Sequence, residues 1–113
     1  SFRFSENKGR LLENMVFLQL RRMNHEVYYY KTTNNLEVDF VVKEKDRIKE
    51  LIQVSWDLYD VKTREREIKS LVTAMEELKL SKGLILTYDD EEEIDQGKKV
   101  IRVMPVWKWL LEK

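Results

Sequence analysis

The chain has 113 residues, 42% of them apolar, 11% aromatic and 37% charged, with no cysteine and with 21 Lys plus Arg balancing 21 Asp plus Glu. One domain with one core fits that length, and the missing cysteines exclude disulfides, thiolate metal sites and cysteine nucleophiles. Zero net charge removes the whole-molecule field that draws basic proteins onto nucleic acid, and apolar runs of only a few residues fall far short of the roughly 20 that cross a bilayer.

Ser1 to Gly9 reads as a connector, polar and carrying one Gly ahead of a periodic segment, and a start without Met suggests a joint to something upstream. No signal peptide is evident and the absence of Cys suits a reducing interior, so a cytoplasmic location is expected. From Arg10, the residues Leu12, Met15, Val16, Leu20 and Met23 recur at three- and four-residue steps, predicting an amphipathic helix that ends near Asn24 with Glu13 on its flank. Glu26 to Lys31 is rich in strand-preferring aromatics, and Thr32-Thr-Asn-Asn35 suits a turn. Leu36, Val38, Phe40 and Val42 alternate with Glu37, Asp39, Val41 and Lys43, which predicts a second strand with one apolar face and with Asp39 beside Glu37 on the other. A charged turn at Glu44-Lys-Asp46 leads into a third strand from Ile48 through Trp56.

Thr63 to Leu80 carries Ile68, Leu71, Val72, Met75 and Leu78 on one stripe, the mark of a surface helix packed on a sheet. The apolar run Gly83-Leu-Ile-Leu-Thr87 then suits a central strand buried on both faces and parallel to the third, reached by a right-handed crossover. Asp89 to Glu93 reads as a solvated acidic loop, Val100 to Met104 as the last strand, and Pro105 as the first residue of a closing helix. The expected fold is α/β (α+β), in the order αβββαββα, a mixed sheet flanked by helices, with residues 10–113 as the domain proper.

That order, with Asp39 on one strand and Gln53-Val-Ser55 on the next, resembles the restriction-endonuclease-like PD-(D/E)XK nuclease superfamily. The resemblance implies a helix Glu at Glu13, a strand Asp at Asp39, and a carboxylate and a Lys where this chain has Gln53 and Ser55. More narrowly, Gly9-Arg-Leu-Leu-Glu-Asn-Met-Val-Phe17, Glu37-Val-Asp-Phe40, Ile52-Gln-Val54, Thr63-Arg-Glu-Arg-Glu67 and Pro105-Val-Trp-Lys-Trp-Leu-Leu111 resemble a C-terminal domain of unknown function found on archaeal and bacterial AAA-type (P-loop) ATPases. This implies a nucleotide-binding domain upstream, because nothing here matches a phosphate-binding Gly-Lys-Ser loop and there are only three Gly.

Magnesium takes one or two carboxylates with water and phosphate, so the catalytic remnant Asp39, Gln53 and Glu13 would hold it through Asp39, Glu13 and the backbone carbonyl of Val54. Gln53 adds at best a neutral oxygen, and losing the lysine costs about 10²–10⁴ in rate. Lys31, Lys43 and Arg64 are candidate replacements, although strand parity puts Lys43 roughly 13 Å from Asp39. The reading is a nuclease-like C-terminal accessory domain of an ATPase, catalytically degenerate, serving regulation, domain interaction or weak DNA contact. The alternative is an active Mg-dependent DNA endonuclease. No cofactor is expected in this segment unless magnesium occupies that set; the expected partners are the upstream ATPase domain and, secondarily, DNA, with no membrane contact.

Plainer roles stand beside these. Asp39 and Glu37 suit a solvated strand face paired with basic neighbours, Glu13 suits a helix surface near Arg10, and Tyr28, Tyr29 and Tyr30 suit core and sheet packing more than base stacking. Arg64 and Arg66 suit an ion-pair face with Glu65 and Glu67 rather than a phosphate site, and the lone His25 lacks a second ligand. Trp107 and Trp109 fall on different helix sides, which predicts one in the core and the other free to dock a partner domain.

Overall fold

Helical and strand stripes in so short a chain bury their apolar sides against one another, and here they do so as helices on both faces of one sheet. The computed structural model describes residues 2–113, with side chains from residue 6 onward. Its elements are α1 (Phe2–Arg22), β1 (Glu26–Lys31), β2 (Glu37–Glu44), β3 (Arg47–Val54), α2 (Val61–Leu78), β4 (Lys82–Thr87), β5 (Glu92–Gln96), β6 (Lys99–Pro105) and α3 (Val106–Glu112). The strands form one mixed sheet in the order β1-β2-β3-β4-β6-β5, parallel across β3–β4 and β4–β6 and antiparallel elsewhere.

On one face, Leu12, Val16 and Leu20 of α1 and Trp109 of α3 meet Phe40, Val42, Ile52, Leu86 and Met104. On the other, Leu71, Ala74 and Met75 of α2 cover Val38, Val41, Leu51, Ile85, Ile101 and Val103. Each fully buried aliphatic side chain contributes about 1.5–3 kcal/mol of transfer free energy. The parallel β4 sits in the middle with Ile85 and Leu86 fully buried, as its unbroken apolar run predicts. A β-carbon added at Gly83 on this strand would lie 2.9 Å from Leu71 Cγ and 3.0 Å from Met75 Sδ, so α2 can approach only because that position is Gly. Gly83→Ala is therefore expected to destabilise the domain by about 1–3 kcal/mol through overpacking, read as a lowered urea midpoint with an unchanged slope.

Several boundaries differ from the sequence expectation. Residues 2–9, expected as a connector, are the first turns of α1. Helix α2 begins earlier, at Val61, where Asp60 Oδ2 accepts from Thr63 N at 2.9 Å and caps it. The acidic stretch is not wholly loop: Glu92 and Glu93 open the additional edge strand β5, whose only buried residue is Ile94, so the order is αβββαβββα. A strand with one inward apolar residue gives almost no alternation to detect, and its charged flanks suit an edge that must not pair with other chains. Pro105 closes β6 and caps α3 with extended backbone, so Val106 is the first helical residue. The turn at Glu44–Arg47 is tight, with Lys45 and Asp46 at φ 52° and 67°, and Asn35 takes the left-handed conformation its type tolerates at φ 64°. No helix among the described residues is long and apolar enough to cross a membrane.

Candidate functional site around Asp39

Strand β2 does not keep the alternation its sequence suggests. Tyr28 pairs with Val41 and Tyr30 with Val38, so two steps along β1 face three along β2, and Asp39–Phe40 form a bulge opposite Tyr29. One extra residue inverts the phase of everything beyond it. Val38 and Val41 accordingly enter the α2 core while Phe40 and Val42 enter the α1 core, instead of all sharing one face. Lys43, beyond the bulge, holds its ammonium 5.5 Å over the Tyr28 ring.

The ladder between β2 and β3 begins at Phe40 and Ile52, and beyond that pair side chains take over from backbone. Gln53, only 2% exposed, spans the gap: its Oε1 accepts from Asp39 N at 2.9 Å and its Nε2 donates to the Glu37 carbonyl at 3.0 Å. The amide thus acts as a surrogate peptide unit, offering one acceptor and one donor to the parted strand. Asp39 returns the link, its Oδ2 accepting from Val54 N at 2.8 Å. Ser55 N donates to the Leu86 carbonyl at 3.0 Å on the β4 side. Across that trans peptide the Val54 carbonyl points the opposite way, toward the gap that holds Asp39.

Glu13 stands on the exposed flank of α1 and lines an open cleft of about 610 Å³ with Asn7, Arg10, Asn14, Phe17 and Phe40. Its charge reaches two other acids. Burial chiefly pushes the Asp39 carboxyl up from 3.8 to about 7; the Val54 bond opposes this, and Glu13, Glu67 and Glu37 add to it. Burial also raises Glu67, against the pull of Arg66 and with a further push from Glu13. Tyr29, across the bulge, is pushed up to about 12, first by its hydrogen bond with Glu37, then by burial and by the charges of Glu37 and Asp39. The bulge thus gathers acidic groups whose ionisation is opposed by burial and by one another.

Asp39, Gln53 and Val54 are in direct contact, and Glu13 is an electrostatic neighbour without a hydrogen bond to them. Asp39, Glu13 and the Val54 carbonyl could offer oxygens to a hard cation, but no group of three or more His, Cys, Asp or Glu side chains among the described residues is placed to hold a metal. Gln53 Oε1 is already committed to Asp39 N. Ser55 Oγ donates to the Asp57 carbonyl at 2.7 Å, turned into the following loop. Of the candidate replacement cations, Arg64 is engaged, gripping Glu92 at 2.7 and 2.8 Å, and the neighbouring Arg66 lies 3.5 Å from Glu67.

The profile of the family described as Domain of unknown function (DUF4143) matches residues 8–109. The chain belongs to that family. This DUF4143 domain is also 42% identical over 120 residues to an uncharacterised protein of Methanocaldococcus jannaschii, a match covering 98% of this chain and 26% of that protein. The chain therefore spans about a quarter of the length of that relative. No solved structure matches it.

Glu67 is the DUF4143 residue at the site that sequence reasoning passed over, taking it as one of two acids that offset Arg64 and Arg66. A signal was present. Glu67 lies one turn before Leu71 on the stripe that continues through Ala74 and Met75, so an acid there is carried toward the sheet. The bulge that brings Tyr29 and Glu37 into the same charge cluster leaves a fainter trace, the apolar Val41 at a position that the alternation of β2 reserves for polar residues.

Proposed function

We propose that this domain is a nuclease-like accessory module of a larger ATPase-bearing protein, catalytically degenerate, with a role in regulation and domain interaction. The observation that carries this reading is the Gln53 amide held between Asp39 N and the Glu37 carbonyl. Where the PD-(D/E)XK pattern needs a charged metal ligand, this chain places a neutral strand clamp with both its polar atoms in use. The lysine position supports the same reading, because Ser55 carries no charge and spends its hydroxyl on Asp57. That the match covers only 26% of the M. jannaschii relative supports a part of a longer chain.

A second reading, an Mg-dependent DNA endonuclease, is favoured by one feature: Asp39 and the Val54 carbonyl face one gap, and Glu13 is close enough to push the Asp39 carboxyl upward. Calorimetry with magnesium and manganese on the wild type and on Asp39→Ala separates the two. The degenerate reading expects no binding heat from either protein and no nicking of supercoiled plasmid. Millimolar or tighter binding that disappears in Asp39→Ala, together with nicking, would establish the endonuclease instead.

A further inference from the structure

Helices α1 and α3 share one face of the sheet unevenly. Helix α1 has apolar side chains to spare, with Leu11, Met15 and Leu18 exposed by 60%, 43% and 51%. Helix α3 is too short for the strand it follows: its seven residues rise about 10 Å, whereas the seven residues of β6 run about 23 Å. It turns back over the sheet, since Glu112 meets Arg102 at 3.3 Å and Lys113 meets Glu50 at 3.0 Å. The late part of β6 is therefore covered, and the early parts of β3, β4 and β6 are not. A pocket of about 480 Å³ lies there, with Leu84, Val100 and Met104 as its floor and Trp109 of α3 as a wall. It is remote from Asp39: Glu50 on its rim precedes Val54 by four residues, roughly 13 Å along β3.

Three polar groups around this pocket are unused. Trp109 is 1% exposed, and its Nε1 has no hydrogen-bond partner among the described residues. Buried donors are nearly always satisfied, and an indole N–H can donate but not accept, so this one calls for an acceptor from outside the fold. Most charges on the rim are spent on one another, as in Arg102 with Glu112, Lys113 with Glu50, and Lys49 with Glu44. Lys82 and Glu93 also line the pocket, and neither pairs with a described residue. Strand register puts them on one face, because Glu93 stands opposite Arg102, Arg102 beside Leu84, and Lys82 two residues before Leu84. Their Cα atoms are then about 12 Å apart, a span that a lysine and a glutamate leaning inward close to the few ångströms between the two charges of an amino acid. A simple anion would serve Trp109 and Lys82 but be repelled by Glu93. A simple cation would leave the indole without an acceptor.

We propose that this pocket binds a small zwitterion of the amino-acid type. Its carboxylate accepts from Trp109 Nε1 and Lys82, its ammonium donates to Glu93, and its aliphatic body lies on Leu84, Val100 and Met104. This goes beyond the reading of the Asp39 site and does not depend on it. Three ligands with the same six-carbon chain, L-norleucine, hexanoate and hexylammonium, test it by titration into the ¹⁵N-labelled chain. There are three Trp, and the Trp109 indole N–H is the resonance that remains in both Trp56→Phe and Trp107→Phe. Norleucine is expected to shift it saturably, hexanoate to shift it with a weaker dissociation constant, and hexylammonium to leave it in place. Lys82→Met and Glu93→Gln, both at exposed positions, should each weaken norleucine by about three- to fivefold, as expected for screened charge pairs. A Trp109 N–H unmoved by norleucine, hexanoate binding as tightly as norleucine, hexylammonium moving the resonance as far, or a norleucine constant unchanged in both variants would each overturn the assignment.

Discussion

Replacing Gln53 with Glu, which restores the carboxylate of the nuclease pattern, is expected to weaken the fold by about 2–4 kcal/mol near neutral pH rather than to create a metal site. The reason is local. Gln53 Nε2 donates to the Glu37 carbonyl, and a carboxylate oxygen in its place would face that carbonyl with no proton to give. The new charge would also sit beside Asp39, whose charged neighbours Glu13, Glu67 and Glu37 are all negative. Burial and these neighbours would raise the folded-state pKa of the introduced acid above its unfolded value. Stability would then be retained below the unfolded pKa, where the protonated acid can donate to Glu37, and lost as pH rises toward the folded one. Thermal unfolding of Gln53→Glu and wild type at pH 5 and pH 8 should show the larger deficit at pH 8. A variant as stable as wild type that gains magnesium binding would refute the clamp.

The second large effect concerns Asp39. Its carboxyl is pushed from 3.8 to about 7, mainly by burial, so the folded state holds a proton that the unfolded chain has released over that interval. Stability accordingly falls as pH rises from about 4 to about 7 and is level beyond, with a ceiling of about 4 kcal/mol for the change. Partial exposure screens the charge and lowers the observable part. Asn keeps an oxygen that accepts from Val54 N and removes the titration, so Asp39→Asn should be more stable than wild type by about 1–3 kcal/mol at pH 8. The two proteins should converge near pH 4. Parallel stability profiles across this range would show that Asp39 is ionised in the folded protein at neutral pH.

These two residues also mark where reading from sequence succeeds and where it stops. The resemblance carried by Asp39 and Gln53, fourteen positions apart on consecutive strand-like runs, implied that the two lie together, and they do hydrogen-bond. What each side chain does there was not legible. Gln53 appeared as a weak ligand and is a bridge between strands, because the parting of β2 from β3 beyond Phe40 and Ile52 leaves backbone groups that some side chain must satisfy. Glu13 was placed by resemblance alone and reaches Asp39 through its charge, without a hydrogen bond. Trp109 and Trp107 separated into core and surface as helical spacing predicts, at 1% and 54% exposure.

Periodicity by itself determined the types of the main helices and strands and the stripe that α2 lays on the sheet, which follow from the local rules of 2.0 and 3.6 residues per repeat, and the unbroken apolar run after a crossover helix gave the parallel placement of β4. Tertiary structure alone decided the bulge at Asp39, the edge strand β5, the raised carboxyls of Asp39 and Glu67 and the uncovered side of α1. Each of these depends on partners distant in sequence. A bulge exists only relative to the strand it faces, a raised pKa only relative to the burial and charges around it, and an exposed apolar stripe only relative to what the rest of the chain has already covered.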